Sequence, residues 1–281
     1  MAGAIQTSGS FDIQPHELVA FLLRRTGQDA PGAVNAATLL DYLKLDYLSV
    51  DFKGSLAPAL PRRTRLPRAL ISFPDRLVAV DSALDTRRAR FSVLHEVAHY
   101  VLPTHQHALY LCDEEGLSSR TRLDFEIEAN RFAADLLFKG RHFLLEASAE
   151  TPAARTVKAL ATRYQASFES TARRLVEASL REIMLVVFSP VPNRALLDPS
   201  LPAKWEVHYC ATSPTFRTRH FALIRCEAPP EIVAALTTGP RDVADSITAP
   251  LPIDGKDGLT IFHAEWFFNQ HSIMALLTPA K

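Results

Sequence analysis

The stretch Arg90-Phe91-Ser92-Val93-Leu94-His95-Glu96-Val97-Ala98-His99-Tyr100 decides how this chain is read. His95 and His99 are four residues apart, so a helix projects both imidazoles from one face, close enough to grip a single ion. Glu96 lies between them and can act as general base toward a water molecule held beside the pair. Val93, Leu94, Val97 and Ala98 supply apolar surface to bury the helix, and burial keeps ligand geometry rigid. The bland alternative is a surface helix whose histidines are merely solvated.

A catalytic zinc ion commonly takes three protein ligands and keeps a fourth position open. The candidate source of the third is the following acidic helix, Leu123-Asp124-Phe125-Glu126-Ile127-Glu128-Ala129-Asn130-Arg131-Phe132-Ala133-Ala134-Asp135-Leu136-Leu137. Glu126, Ala129, Asn130 and Ala133 form one helical stripe. Its small residues let the first helix approach, so that Glu126 reaches the ion and Asn130 can orient a neighbour. Glu128 is displaced by about 200° from Glu126 on that wheel. It remains the competitor, because the rotation of the helix is not written in the sequence. His105 and His107 follow Pro103 and could touch substrate or help stabilise an oxyanion. Tyr100 reads as a packing residue ahead of a catalytic one, His142 is a weak signal, and Asp113, Glu114 and Glu115 form an acidic loop between the two helices.

Working outward, the first part of the chain runs to about residue 148. HELVAFLLRR (residues 16–25) has helical apolar spacing, and NAATLLDYLKL (35–45) is a second helical run ending near Asp46, with Asn35 as its cap. Gly27 to Gly32 reads as a turn. Pro58, Pro61 and Pro67 make the next stretch irregular. Short strands are expected on either side of a turn at Pro74 and Asp75. Arg62, Arg63, Arg65, Arg68 and Arg76 make this region locally basic, a solvated face or a contact for an acidic partner.

A short helical part covers residues 149–180. Thr151 and Pro152 read as a helix start, Gln165 and Ala166 as a break, and Ser167 as the cap of a second helix. VKALATRYQASFESTARRLVE fits a helix-turn-helix pattern framed by Leu160, Ala161, Ser167, Phe168, Ala172 and Leu175. Arg173 and Arg174 on its second helix are available for DNA or for docking a repressor.

Residues 181–281 change character. IMLVVFSP, WEVHYCA, RHFALIRC, GLTIFHA and SIMALL are strand-like, and PEIVAALTTG reads as a helix between strands. We expect a small α+β domain built on an antiparallel sheet. His208, His220, His263 and His271 are scattered among its strands and read as structural or surface groups.

The chain has 281 residues, 47% of them hydrophobic, enough for more than one core. Thirty-one basic residues balance thirty-one acidic ones, so no net field draws in nucleic acid or an anionic membrane. The N-terminus lacks the pattern of a secretory signal, and no apolar run is long enough for a membrane span. Cys112, Cys210 and Cys226 are few, separated and odd in number, as in a reducing compartment. A soluble cytoplasmic protein is expected, with Cys210 and Cys226 as buried apolar groups.

The pair RFSVLHEVAHYVL and EIEANRFAADLL resembles the two signature helices of the ImmA/IrrE family of zinc-peptidase-like proteins. The whole chain is similar to the radiation-response regulators of that family. The resemblance implies an α+β multidomain fold: a zincin-like metallopeptidase domain at 1–148, a helix-turn-helix-like domain at 149–180 and a GAF-like C-terminal sensor domain at 181–281. It implies Zn2+ held by His95, His99 and Glu126, with Glu96 as catalytic base, although this ligand set would also accept Mn2+. It further implies a metalloendopeptidase that cleaves an Xre-type helix-turn-helix repressor to induce DNA-damage response genes, and a small ligand or signal at the C-terminal domain. The chain departs from the family pattern at Phe138-Lys139-Gly140, where a Met-Pro ending is usual; this lies away from the ligands. The competing expectation is a DNA-binding transcription activator whose metal site is structural or inactive.

Overall fold

In the computed structural model of the chain, the described residues are 14–57, 66–106, 119–191, 204–220, 227–238, 242, 245–255 and 258–279. Arg62, Arg63, Arg65, His107, the acidic loop at Asp113 to Glu115, Cys112 and Cys226 lie outside them, as does most of the RHFALIRC run. The architecture is α+β, and the chain forms two compact units, Met1–His142 and Phe143–Lys281. The sequence reading draws three parts, with boundaries after 148 and after 180.

The first unit contains α1 (Pro15–Arg25), α2 (Ala36–Leu43), β1 (Asp46–Val50), α3 (Phe52–Ser55), β2 (Ala69–Ser72), β3 (Leu77–Asp81), α4 (Thr86–Val101) and α5 (Ser119–Leu137). The sheet order is β1-β3-β2, with β1 parallel and β2 antiparallel to β3. Asn35 caps α2, its side chain accepting from the backbone of Ala37 and Thr38. The helix stops at Leu43, three residues before the expected end, because Lys44 turns left-handed at φ 56° and Asp46–Val50 pairs with β3. Arg76, from the turn between β2 and β3, donates to the carbonyls of Lys44 (2.8 Å) and Leu43. Part of the expected basic face therefore satisfies a helix C-terminus.

Helix α4 starts at Asp85, whose carboxylate accepts from the backbone N–H groups of Arg87 (3.0 Å) and Arg88 (3.1 Å). It ends before Pro103, which cannot continue the backbone ladder. Val93, Leu94, Val97 and Ala98 are buried on α4, as are Ala129, Phe132, Ala133 and Leu136 on α5. The two helices pack on each other, and α4 also packs on β2 and β3. Helix α5 closes through Lys139 and Gly140, both at positive φ; Gly140 N–H bonds the Asp135 carbonyl at 2.8 Å. The buried Lys139 amine reaches the Ala30 carbonyl at 2.9 Å and pins the Gly27–Gly32 turn.

The second unit takes in most of α6 (Arg141–Ala149), then α7 (Ala154–Tyr164), α8 (Phe168–Ala178), β4 (Met184–Pro190), β5 (Trp205–Thr212), α9 (Pro214–Arg219), α10 (Pro230–Thr237), β6 (Ile247–Gly255), β7 (Gly258–Phe268) and β8 (Ile273–Pro279). Helix α7 begins at Ala154 rather than at Thr151, because the Glu265 carboxylate on β7 accepts from the Ala154 N–H at 3.1 Å. Gln165 breaks the helix in the left-handed region, and Ser167 caps α8 by accepting from the Ser170 N–H at 3.1 Å. The strands form one antiparallel sheet in the order β5-β4-β8-β7-β6.

Strand β4 is buried along Met184–Phe188, and β8 along Ile273–Leu277. Such continuous apolar runs belong to strands covered on both faces. One face gathers Met184, Val186, Phe188 and Trp266 with Phe216, Ile232 and Leu236 from α9 and α10. On the other, α8 packs against β4 and β5, and Phe168 meets Phe267 edge-on at 5.2 Å. Strand β6 carries Pro250 and Pro252 and was not expected as a strand; it survives because it is an edge. No described helix is long and apolar enough to cross a membrane.

Candidate metal centre

Four-residue spacing on α4 brings His95 Nε2 and His99 Nε2 to 3.1 Å. From α5, Glu126 Oε2 lies 3.2 Å from His95 Nε2, and Oε1 lies 3.5 Å from His99 Nε2. Three donors around a tetrahedral zinc at about 2.0–2.1 Å stand about 3.4 Å from one another. The observed triangle therefore has the size of one face of such a shell. Among the described residues, these three are the grouping of His, Cys, Asp and Glu able to hold an ion.

The histidine side chains are 16% and 15% exposed, whereas that of Glu126 is 55% exposed. The imidazoles are thus set into the protein, with the carboxylate at the mouth. Hydrogen bonds to His95 and His99 hold the Glu126 carboxyl far below its ordinary pKa, against the weaker effect of its partial burial. Burial of His95 opposes its charge. The hydrogen bond to Glu126, the charges of Glu96 and Glu126 and a hydrogen bond with Asn130 outweigh that and raise its pKa. Asn130 thus does contact His95, as its place one turn after Glu126 suggested.

Glu96 is buried, at 8% exposure. Desolvation raises its pKa, although His95 and His99 pull the other way. A buried carboxyl beside two imidazoles has the setting of a proton-transfer group.

Glu128 does not enter the triangle: its Oε2 faces His105 Nε2 at 3.2 Å. The other ring nitrogen of His105, Nδ1, is 2.9 Å from His99 Nδ1. His105 is 1% exposed and lies against Phe125, ring centroids 4.6 Å apart. With both nitrogens engaged inside the protein, it cannot meet a substrate or an oxyanion as the sequence had suggested. Burial and the charge of His99 lower its pKa, and Glu128 only partly compensates. The readable signal for its role was Pro103, which ends α4 and lets residues 103–106 turn His105 back under His99.

Tyr100 stacks on Phe73 at 5.8 Å and lies under Arg76 at 5.5 Å, which is packing. His142 bonds Asp29 at 2.8 Å, away from the centre. In the second unit, Arg173 is paired with Glu177 at 2.8 Å and lies over the Tyr209 ring at 5.7 Å, so its charge is partly spent within its own unit. Arg174, beside it on α8, is half-buried. His220 bonds Glu182, and Cys210 packs half-buried against the sheet core.

The model of the IrrE N-terminal-like domain, a peptidase family, matches residues 56–176 and so includes the whole triangle. Among solved structures, a Mycobacterium tuberculosis transcriptional regulator is similar, with a TM-score of 0.54 at 15% identity over 94% of this chain and 86% of that one. That likeness is one of fold. No curated protein matches. Residues 56–176, which carry His95, His99 and Glu126 on two packed helices, are thus similar to the IrrE N-terminal-like domain.

Proposed function

We propose that this protein is a zinc-dependent, site-specific endopeptidase that acts in gene regulation. The observation that carries the reading is the buried Glu96 carboxyl on the same helix as the His95 and His99 corners of the triangle. A purely structural metal site has no use for a proton-transfer group beside its ligands.

An ion held by these three side chains would supply Lewis-acid polarisation of a scissile carbonyl and make a water molecule more acidic. Glu96 takes the proton of the attacking water and returns it to the leaving amine. Among the described residues Glu126 is 55% exposed, as a ligand reached by a peptide substrate would be. The donor set fits Zn2+ and tolerates Mn2+.

The family resemblance supports zincin-like, helix-turn-helix-like and GAF-like assignments for 1–148, 149–180 and 181–281. It also supports an Xre-type repressor as the substrate, whose cleavage in the cytoplasm would release DNA-damage response genes, and a small-ligand signal at the C-terminal domain. A second reading is favoured by the fold shared with a transcriptional regulator: a DNA-binding activator whose metal centre is structural. It asks for phosphate contacts from α8, and the pairing of Arg173 with Glu177 weighs against that residue as one of them.

Purified protein, a candidate repressor and added zinc or manganese, followed on a gel, separate the two. Metal-dependent cleavage of the repressor supports the peptidase. Duplex binding without cleavage under any metal supports the activator.

A further inference from the structure

We propose that His105 and Glu128 are positioning residues that fix the tautomer of His99, forming the relay His99–His105–Glu128. The inference rests on the reading of His95, His99 and Glu126 as a metal triad, and goes beyond it to residues that touch no ion.

His99 Nε2 belongs to the triangle, 3.1 Å from His95 Nε2 and 3.5 Å from Glu126 Oε1. A neutral imidazole that offers the lone pair of Nε2 carries its proton on Nδ1. That N–H faces His105 Nδ1 at 2.9 Å, so His105 Nδ1 must accept. A neutral His105 then carries its own proton on Nε2, where Glu128 Oε2 accepts it at 3.2 Å. Each donor thus meets an acceptor along the row. The other tautomer of His105 would set two N–H groups head to head and leave a carboxylate facing a bare lone pair.

Burial removes the alternative. His105 is 1% exposed and its ring lies against Phe125, so water cannot replace either partner. The two ends of the row share one helix, because Glu126 and Glu128 both belong to α5. Two carboxylates two residues apart on one helix therefore divide the work: one faces the ion, the other sets the ring that holds a ligand. An anionic acceptor at the end of such a row also makes the ligand imidazole a better donor to a cation.

The test uses the full chain. Long-range proton–nitrogen NMR on the zinc-loaded protein should find His99 protonated at Nδ1 and His105 protonated at Nε2; His105 protonated at Nδ1 overturns the relay. Zinc affinity, measured by competition with a chromophoric chelator, should fall about 10- to 100-fold in His105→Phe. It should largely recover in His105→Gln, which keeps one acceptor and one donor. Wild-type affinity in His105→Phe, or equal losses in both variants, would make His105 a packing residue and overturn the proposal. If His105→Phe does not fold, the tautomers of the wild type decide. A wild type that takes up no zinc removes the triad and the relay together, whereas zinc uptake with the wrong tautomers removes the relay alone.

Discussion

His95 Nε2 and Glu126 Oε2 meet at 3.2 Å across a seam between two helices in which Ala129 and Ala133 are fully buried. The ligand geometry depends on that seam being narrow. Ala133→Leu adds three carbons where none fit, and overpacking of this kind costs about 1–3 kcal/mol. We predict lower stability in denaturant titration and, in the fraction that folds, less than one zinc per chain by elemental analysis.

Glu96→Gln removes the proposed base and leaves the three candidate ligand side chains in place. Loss of a general base typically lowers a rate by about 10²–10⁴-fold. Repressor cleavage should fall by that order while the bound metal stays stoichiometric. A variant that cut at the wild-type rate would show that Glu96 is not the base.

Metal binding should stabilise the wild type and not the ligand variants. At a hundredfold excess over the dissociation constant, an ion that binds only the folded state adds about 2.7 kcal/mol. Thermal melts with and without zinc should therefore separate for the wild type and coincide for His95→Ala and His99→Ala.

Burial of Glu182 works against its charge, but His220 and Arg219 hydrogen-bond the carboxylate and hold its pKa below the ordinary value. A carboxyl whose folded value is depressed adds stability above its unfolded pKa and loses it as pH falls through the folded value. Glu182→Gln should melt earlier than the wild type at neutral pH. The gap should close as pH drops below about 4.

Arg173 tests the activator reading. A side chain that neutralises one phosphate of a duplex contributes about one to the salt slope of binding, and its removal takes that share away. Because Arg173 is engaged by Glu177 and Tyr209, we predict that Arg173→Ala leaves the salt dependence of any DNA binding unchanged.

How far the sequence could be read follows from the range of the forces involved. His95 and His99 were legible because four-residue spacing on a helix is local geometry. Asn35 and Ser167 were legible as caps for the same reason. The choice of Glu126 over Glu128 required the rotation of α5, which burial of Ala129, Phe132 and Ala133 against α4 supports and which their small size only hinted at. His105 needed the reversal after Pro103. Strand β1, which follows the helical run at 35–45, was not read as a strand because its pairing with β3 is long-range. Thr151 lost the start of α7 to Glu265, more than a hundred positions away in the chain.

The edge strand β6 has one more effect. Pro250 and Pro252 are two apart, so both would direct an N–H to the same side, and the unbroken pairing of β6 with β7 identifies that side as the one turned away from the sheet. A strand from a neighbouring molecule that tried to extend the ladder there would meet two missing donors in succession. The prolines thus act as a guard against self-association at the rim.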